Sequence, residues 1–227
     1  MTMKTLAFDF SPYRLSGTVY GTLLNSSESL AALGDAVHQP PYKAAPKAPV
    51  LYVKPRNTLA GDGDAVEVPD TAAALQAGAS LGLVIGRTAC RVAEAEALSC
   101  LAGYVVVADF SVPHESFYRP SVRFKALDGS CPIGPAVVPA ASIADPDALP
   151  LRVLIDGVLA QSASTGGMRR GAARLLADVT EFMTLHPGDL LMLGVPHGAP
   201  LAKAGQTVTV EIDGVGRLEN VLTKEKA

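Results

Sequence analysis

Two pairs of carboxylates in this sequence have a spacing that could serve chemistry. The stretch Gly61-Asp62-Gly63-Asp64 has the composition of a phosphate-binding loop, but no Lys-Ser/Thr pair and no helix follow it, so we predict a loop that joins two strands. Glu94 and Glu96 lie two residues apart in a stretch with helical spacing, where side chains at i and i+2 diverge. We expect surface charges there. Neither pair predicts a catalytic site.

The histidines and cysteines also lack the spacing of a ligand set. Three histidines are scattered over predicted loops, without the i, i+4 spacing of a helical metal pair; they are His38, His186 and His197. The odd number of cysteines and the lack of a C-x-x-C pair argue against a disulfide framework and a structural zinc site; they are Cys90, Cys100 and Cys131. We expect solvated histidines and reduced, mostly buried thiols.

Composition limits the class of protein. The 227 residues suffice for one large domain or two small ones, and the 48% of apolar residues can form a substantial core. A net charge of −3, with no run of five like charges, gives no electrostatic basis for nucleic-acid binding. The first residues lack an uninterrupted apolar stretch, and nowhere do 18 uncharged apolar residues run together. We therefore expect a cytoplasmic protein that binds neither nucleic acid nor membrane.

Short runs rich in Val, Leu and Ile recur between Gly, Pro and Asp residues, which is typical of β-strands. The predicted strands cover residues 50–53, 81–85, 104–108, 151–155, 190–193 and 208–212. Asp156-Gly157 and Asp213-Gly214 each separate two apolar segments, and a type I′ turn needs the positive φ that glycine readily adopts. Each pair therefore predicts an antiparallel hairpin.

One amphipathic helix is predicted over residues 168–184. Its apolar residues recur at i, i+3, i+4 and i+7 and define one buried face; they are Ala172, Leu175, Leu176, Val179, Phe182 and Met183. Pro187 and Gly188 are expected to end it, and a shorter helix is predicted over residues 93–101. Because strands and helices do not alternate regularly, we predict a mixed or antiparallel sheet in a β-rich α+β fold.

Six segments follow one another in a distinctive order. They are LYVKPRNTLAGDGDAVEVP at 51–69, LVIGRTACRV at 83–92, GYVVVADFS at 103–111, CPIGPAVVP at 131–139, EFMTLHPGDLLMLGVP at 181–196 and GVGRLEN at 214–220. In this order they resemble the fumarylacetoacetate hydrolase family across nearly the whole chain. Within the family, VKPRNT and SFYRPSVRFKALDGSCPIGP at 116–135 resemble the branch of bifunctional isomerase/decarboxylases of 4-hydroxyphenylacetate (homoprotocatechuate) degradation, specifically their amino-terminal half.

The resemblance implies a fold, a cofactor and a class of substrate. The expected fold is the mixed or antiparallel β-roll of the fumarylacetoacetate hydrolase C-terminal domain, with few helices. We expect a single domain over residues 1–227, with a variable amino-terminal segment at 1–50 and the family core at 51–223. The family uses Mg²⁺ or Mn²⁺ and acts on small dicarboxylate or tricarboxylate substrates. The expected partner is a homologous subunit, in a homo- or hetero-oligomer.

The metal site that the resemblance implies is incomplete in this sequence. The family's metal-binding strand reads E-x-E-L-x-x-V-I-G, and glutamates two residues apart lie on one face of a strand, about 7 Å apart along it, where both reach one ion. Gly78 and Ser80 stand at those positions here. Asp109, in VADFS, matches the family's third metal carboxylate and is the residual ligand. One exposed carboxylate in a flexible groove is not expected to hold Mg²⁺ tightly.

The other family positions are partly kept. Lys125 matches a lysine that contacts the substrate carboxylate or keto oxygen in active members, and it is the candidate catalytic residue; the alternative is an ordinary strand lysine. Ser29 replaces the general-base histidine, and Val195 replaces a threonine that helps to position a substrate carboxylate. His114 and Glu115 lie in a proline-containing loop, where they either rebuild a metal site or belong to a solvated loop.

Two functions therefore stay open. In the first, the chain takes part, alone or in a complex, in decarboxylating 5-oxopent-3-ene-1,2,5-tricarboxylate and isomerising 2-hydroxyhepta-2,4-diene-1,7-dioate. Both reactions pass through an enolate next to a carboxylate, which a metal ion stabilises as a Lewis acid. In the second, the chain is a catalytically silent structural or regulatory partner of an active homologous subunit that carries the E-x-E motif.

Overall fold

The computed structural model describes residues 9–10, 13–14, 17–114, 116–117 and 121–225. Its strands are β1 (Asp9–Phe10), β2 (Tyr13–Arg14), β3 (Val19–Leu23), β4 (Val50–Lys54), β5 (Leu59–Ala60), β6 (Val66–Val68), β7 (Leu75–Ile85), β8 (Leu101–Ser111), β9 (Cys131–Pro132), β10 (Val138–Pro139), β11 (Pro150–Ile155), β12 (Val158–Ser164), β13 (Leu190–Met192), β14 (Leu201–Ala202), β15 (Thr207–Ile212) and β16 (Gly216–Lys224). Its α-helices are α1 (Ser27–Ala31), α2 (Glu94–Ala97), α3 (Val122–Lys125) and α4 (Ala172–Thr180). Short 3-10 helices cover Gly34–His38, Arg56–Thr58, Leu98–Cys100, Ala140–Ser142 and Thr165–Gly167.

The strands form two main sheets. The larger sheet has the order β10-β8-β7-β13-β3-β4, with β14 also paired to β7, and the smaller one has the order β12-β11-β15-β16-β6. Neighbouring strands in both sheets are mostly antiparallel, but β13 with β3 and β16 with β6 are parallel. The sheets are therefore mixed, as the sequence predicted.

The hairpin of β7 and β8 is the centre of the larger sheet. Its antiparallel register begins with Gln76 opposite Ser111, and every residue of β8 is buried. Successive side chains of a strand point to opposite faces. Phe110 therefore belongs to a large core, which the smaller sheet and α4 cover, whereas Val107 belongs to a smaller core on the other face.

All six predicted strands are confirmed; four of them match to within one residue, and two are six residues longer than predicted. β7 begins at Leu75 rather than at residue 81, and β8 extends beyond residues 104–108 at both ends. Most of the additional part of β7 is a run of small, buried residues that give little hydrophobic pattern, namely Ala77, Gly78, Ala79 and Ser80. The hydrophobic pattern alone therefore underestimates the length of these two strands.

Both predicted hairpins are confirmed, but only one has the predicted turn. Between β11 and β12, Asp156 (φ 51°) and Gly157 (φ 78°) both have the positive φ of a type I′ turn. Between β15 and β16, Gly214 has a φ of 76°, whereas Asp213 is not in the positive region. Because Val215 also lies between these two strands, the second turn is longer than a two-residue type I′ turn.

The main helix is shorter than predicted. Residues 165–167 form a 3-10 turn, and Met168 pairs with Ser26 in an isolated β-bridge, so α4 begins only at Ala172. Four residues of the predicted face are buried, namely Ala172, Leu175, Leu176 and Val179. The predicted end at Pro187 and Gly188 is wrong, because α4 ends at Thr180, and Met183 lies beyond it and is partly buried. The prediction for Phe182 is wrong: it follows the helix and is 61% exposed. The shorter helix predicted over 93–101 is α2 followed by the 3-10 helix Leu98–Cys100.

A β-rich α+β fold with few helices is thus confirmed. The division between residues 1–50 and 51–223 stays a prediction; β3, in the first segment, pairs with β4 at the boundary. None of the helices in the described part of the chain is long and apolar enough to cross a bilayer.

Candidate functional site

The positions of the implied metal site come together on one face of the β7–β8 hairpin. Gly78 lies directly opposite Asp109, and Ser80 lies directly opposite Val107. Directly opposed residues of an antiparallel pair have their side chains on the same face. All four therefore share the face of the smaller core.

The carboxylate of Asp109 is buried between two ammonium groups. Its Oδ1 is 2.9 Å from Nζ of Lys54, and its Oδ2 is 2.7 Å from Nζ of Lys125. The hydroxyl of Tyr52 donates a hydrogen bond of 2.5 Å to Oδ2. The expectation of an exposed carboxylate in a flexible groove is therefore wrong, because Asp109 is only 1% exposed and lies against three inward-facing polar side chains.

Electrostatics keep this carboxylate ionised. Burial by itself raises the pKa of Asp109, but the ammonium groups of Lys125 and Lys54 outweigh that effect and hold the pKa well below its ordinary range. For Tyr52, burial and the adjacent charge of Asp109 raise the pKa of the hydroxyl well above its ordinary value. Tyr52 is therefore a hydrogen-bond donor here and not a base. Burial also raises the pKa of Cys131 to about 12, so its thiol stays protonated.

Strand β4 brings both Tyr52 and Lys54 to the site, and its neighbour β3 leaves room for the Tyr52 ring. These residues are two apart in β4, so their side chains leave the strand on the same face. Gly21 of β3 lies opposite Tyr52, and a Cβ atom at residue 21 would be 2.0 Å from Cζ of that ring. Glycine at this position therefore leaves the space that the tyrosine ring occupies.

Position 78 has no room for a side chain. A Cβ atom there would lie 2.9 Å from the carbonyl oxygen of Asp109 and 2.9 Å from Cγ2 of Val195, closer than real Cβ contacts. Val195 is also the residue that replaces the family's threonine. Gly78 and Val195 both differ from the family pattern, and they pack against each other. Val195 therefore fills the space that a larger side chain at position 78 would need.

Ser80 has a structural role in the fold. Its hydroxyl is fully buried and accepts a hydrogen bond of 3.1 Å from the backbone N–H of Gly194. A buried backbone N–H without a hydrogen-bond partner destabilises the fold, and the Ser80 hydroxyl provides the partner for the N–H of Gly194. The contact also fixes the segment that leads into Val195.

The described residues do not fit the divalent cation that the resemblance implies. Mg²⁺ takes several oxygen ligands, usually including carboxylates and water. Oδ1 of Asp109 has no hydrogen-bond partner of good geometry among the described residues. Nζ of Lys54 nevertheless lies 2.9 Å from this oxygen and occupies the place that a bound ion would need. Elsewhere in the described part of the chain, no three His, Cys, Asp or Glu side chains are grouped so that they could hold a metal ion.

Lys125 lies in α3 and not in a strand, so the alternative of an ordinary strand lysine is wrong. Its Nζ is 4.6 Å from the centroid of the Tyr52 ring, within the range of a cation–π contact. The side chain is 8% exposed and approaches the surface more closely than that of Lys54. Its contact with a substrate carboxylate or keto oxygen stays a prediction.

The alternative metal ligands are only partly described. Nδ1 of His114 is 2.9 Å from the carbonyl oxygen of Val112, and its ring stacks on Phe124 with centroids 4.9 Å apart. Glu115 lies outside the described residues, so a rebuilt site with His114 stays a prediction. Ser29 lies in α1, where its backbone N–H donates to Oγ of Ser26 at 3.3 Å.

The first candidate carboxylates are engaged in folding or exposed. Oδ2 of Asp64 accepts a hydrogen bond of 2.8 Å from N–H of Gly61, and Oδ1 of Asp62 accepts one of 2.8 Å from N–H of Glu219. Residues 61–64 lie between β5 and β6, so the prediction of a loop that joins two strands is confirmed. Glu94 and Glu96 are exposed, as predicted. The remaining candidates are exposed at His38, His186, His197 and Cys90 and buried at Cys100 and Cys131.

Sequence reasoning missed Tyr52, Lys54 and Ser130, the last of which also contacts Lys54. The available signal is the Tyr-x-Lys spacing in β4, which places a hydroxyl and an ammonium group on one face of a strand. Their partner could not be identified, because Tyr52 and Asp109 are 57 residues apart and meet only in the folded sheet.

A family model described as fumarylacetoacetate (FAA) hydrolase C-terminal matches residues 18–223. The chain is 39% identical over 212 residues to the 4-hydroxyphenylacetate degradation bifunctional isomerase/decarboxylase of Escherichia coli, covering 93% of this chain and 48% of that protein. The chain thus spans about half the length of the curated relatives it matches first.

Solved structures agree with the family match. The crystal structure of 2-hydroxyhepta-2,4-diene-1,7-dioate isomerase from Mycobacterium marinum is 28% identical, with a TM-score of 0.78 over 94% of this chain and 77% of that one. Fumarylpyruvate hydrolase from Pseudomonas aeruginosa, solved in complex with Mn²⁺ and pyruvate, shares the fold at 22% identity, with a TM-score of 0.77 over 94% of this chain and 91% of that one. Segment order, β-roll and matched residues together mean that the chain belongs to the fumarylacetoacetate hydrolase family.

Proposed function

We propose that this chain is a component of the isomerase/decarboxylase system of 4-hydroxyphenylacetate (homoprotocatechuate) degradation, and that it is the module without a metal ion. Its relatives with both activities are about twice its length, which supports a function in a two-module assembly. The second module would be a homologous subunit that carries the E-x-E motif. The proposal extends to the substrates 5-oxopent-3-ene-1,2,5-tricarboxylate and 2-hydroxyhepta-2,4-diene-1,7-dioate, both small carboxylates.

One observation carries the proposal for the role of this module. Of the three expected metal-ligand positions 78, 80 and 109, all of them described, Asp109 alone is acidic, and it is already paired with Lys54 and Lys125. One carboxylate between two ammonium groups leaves the three groups with a net charge of +1, which repels a divalent cation. The space next to Gly78 is also filled by Val195. The described side chains therefore favour a packing function over enolate chemistry within this chain.

A second candidate function is turnover by the chain itself. It is favoured by the position of Lys125, which is close to the surface and lies beside the hydrogen-bond-donating hydroxyl of Tyr52. In this alternative, Lys125 would bind the substrate carboxylate, and Tyr52 would hold Asp109 in place after the lysine turned toward the substrate. The proton transfer that both reactions require has no evident base among these three groups.

The two functions are separated by an activity measurement on purified proteins. Loss of substrate absorbance is followed with Mg²⁺ or Mn²⁺ for the chain alone, for a homologous subunit that carries the E-x-E motif, and for their mixture. We expect no turnover by the chain alone and a higher rate for the mixture than for the homologous subunit. The control is Glu67→Gln, at an exposed position of β6, which should behave as the unaltered chain.

Two outcomes would contradict the proposal. Metal-dependent turnover by the chain alone that disappears in Asp109→Asn would show that this module is itself catalytic. An unchanged rate in the mixture, together with no complex on size-exclusion chromatography, would show that the homologous subunit is not its partner.

A further inference from the structure

The ammonium group of Lys54 lies in a cage of oxygen atoms. Nζ donates hydrogen bonds to the carbonyl oxygen of Lys125 at 2.6 Å and to Oγ of Ser130 at 3.1 Å, and it is 2.9 Å from Oδ1 of Asp109. The carbonyl oxygens of Phe110 and Ser130 are each 3.5 Å away. Lys54 is 2% exposed, so these five oxygens replace the water that would surround an ammonium group at the surface.

The cage matches the chemistry of an ammonium ion. Lysine has three N–H donors and no acceptor, and the three nearest oxygens are a carboxylate, a carbonyl and a hydroxyl. Ser130 is free to accept from Lys54 because its own hydroxyl proton is donated to the carbonyl oxygen of Leu127 at 2.7 Å. A buried charge is tolerated when it is paired and hydrogen-bonded, and both conditions are met here.

The cage also connects separate parts of the fold. Lys54 ends β4, an edge strand of the larger sheet, whereas Asp109 and Phe110 belong to β8. The Lys125 carbonyl ends α3, and Ser130 directly precedes β9. The ammonium group of Lys54 thus links β4 to β8, to the end of α3 and to the residue that precedes β9.

We propose that Lys54 is a tethered cation: its ammonium group, which is covalently part of the chain, supplies the positive charge that the buried oxygen atoms around it require. The inference deepens the proposed function and rests on it in one respect, namely that no divalent ion occupies this place. Lys125 does not have the same function. Among the described residues, its Nζ contacts one oxygen of Asp109 and the Tyr52 ring, and its side chain is closer to solvent than that of Lys54.

Chemical rescue tests the tethered cation. Lys54→Ala removes Cγ, Cδ, Cε and Nζ, the atoms that propylammonium contains. We expect thermal unfolding of Lys54→Ala about 10 °C below that of the unaltered chain, because a buried carboxylate loses a partner. Propylammonium at tenfold excess over its dissociation constant should raise the variant's midpoint by about 3–6 °C. Tetramethylammonium, which has the same charge and no N–H donor, should have no such effect.

A matched surface variant defines the baseline. Lys203→Ala removes the same atoms from an exposed lysine, and neither this variant nor the unaltered chain should distinguish the two ions. The inference is overturned if Lys54→Ala melts with the unaltered chain, or if propylammonium raises its midpoint no more than tetramethylammonium does.

A second variant covers the case in which Lys54→Ala does not fold. Lys54→Met keeps most of the side-chain volume and removes only the charge and its hydrogen bonds. It should melt about 10 °C below the unaltered chain, because Oδ1 of Asp109 and the carbonyl oxygen of Lys125 lose their buried partner while Lys125 stays paired with Oδ2. A Lys54→Met variant as stable as the unaltered chain would overturn the inference. These readouts are thermal midpoints, so failure of the tethered cation is distinguishable from failure of the proposed function, which is measured by turnover.

Discussion

At the scale of single residues, the charge of Asp109 decides what the site can do. A carboxylate alone in a protein interior becomes protonated, because burial disfavours its charged form. Here two ammonium groups within 3 Å reverse that preference. The Asp109 carboxylate is therefore ionised, and its charge is more than balanced by the neighbouring lysines. It is suited to holding β8 and β4 together and poorly suited to binding a further cation.

Asp109 should make stability depend on pH in the acid range. Its folded pKa is below its unfolded value of about 3.9, so the stabilisation is fully present above about pH 5 and is lost as pH falls toward the folded pKa. Asp109→Asn should reduce the free energy of unfolding at pH 7 by about 3–5 kcal/mol, because it leaves two buried ammonium groups without a negative charge beside them. Urea denaturation at pH 7, 5, 4 and 3 should show this difference shrinking below pH 5.

The exposed Glu67→Gln variant is the control and should follow the unaltered chain at every pH. A constant difference between Asp109→Asn and the unaltered chain from pH 7 to pH 3 would mean that the carboxylate is not held ionised by its neighbours.

The residue types of this site were only partly predictable. Asp109 and Lys125 were identified from segments that resemble a family, and Gly78 and Ser80 from the carboxylates they replace. Lys54 was not identified. A lysine that follows four apolar residues at a strand end is usually exposed to solvent, and the buried partners of Lys54 are apparent only in the folded sheet.

At the scale of elements, the contact between β7 and the segment after β13 is what excludes a longer side chain at residue 78. Gly78 and Val195 are complementary in size, as close-packed interiors require. The absence of the family's carboxylates is therefore accompanied by repacking of the space they would use.

Gly78→Ala should destabilise the chain by about 1–3 kcal/mol, since the added methyl group overpacks the contact with Val195 and the Asp109 backbone. Val195→Ala in the same chain should recover part of this loss. Chemical denaturation of both single variants and the double variant gives the coupling energy. Additive effects of the two changes would contradict the packing contact described here.

The β11–β12 turn offers a separate test of local structure. Gly157 has a φ of 78°, where a side chain is strained, so Gly157→Ala should reduce stability by about 1–2 kcal/mol. Gly167 has open space around its Cβ position and no positive φ, so Gly167→Ala is the control and should change stability by less than about 0.5 kcal/mol. Equal effects at the two positions, measured by thermal unfolding, would rule out the strained turn.

Strand and turn patterns located six of the sixteen described strands and both hairpins, and the limits of these patterns have physical causes. The Asp-Gly pairs located both hairpins, but the second turn includes Val215, which no dipeptide rule indicates. The helix prediction reached Phe182 because helical spacing continues past the point where α4 ends, and spacing alone does not report where the backbone leaves the helix.

At the scale of the whole molecule, the order of segments predicted the β-roll, because the same landmarks occur in the same order in a family with one fold. The same resemblance predicts a homologous subunit as the partner, and this stays a prediction. Seven large apolar residues are exposed in the described chain, including Val122, Val158 and Phe182, but nothing in their types identifies what would cover them.

The central claim is that this chain binds no divalent cation at Asp109, and direct measurement of bound Mn²⁺ tests it best. Electron paramagnetic resonance of free Mn²⁺, titrated with the purified chain, reports how much of the ion is bound. We predict that the free signal stays unchanged for the unaltered chain and for Asp109→Asn alike. One Mn²⁺ bound per chain, lost in Asp109→Asn and kept in Glu67→Gln, would contradict the account.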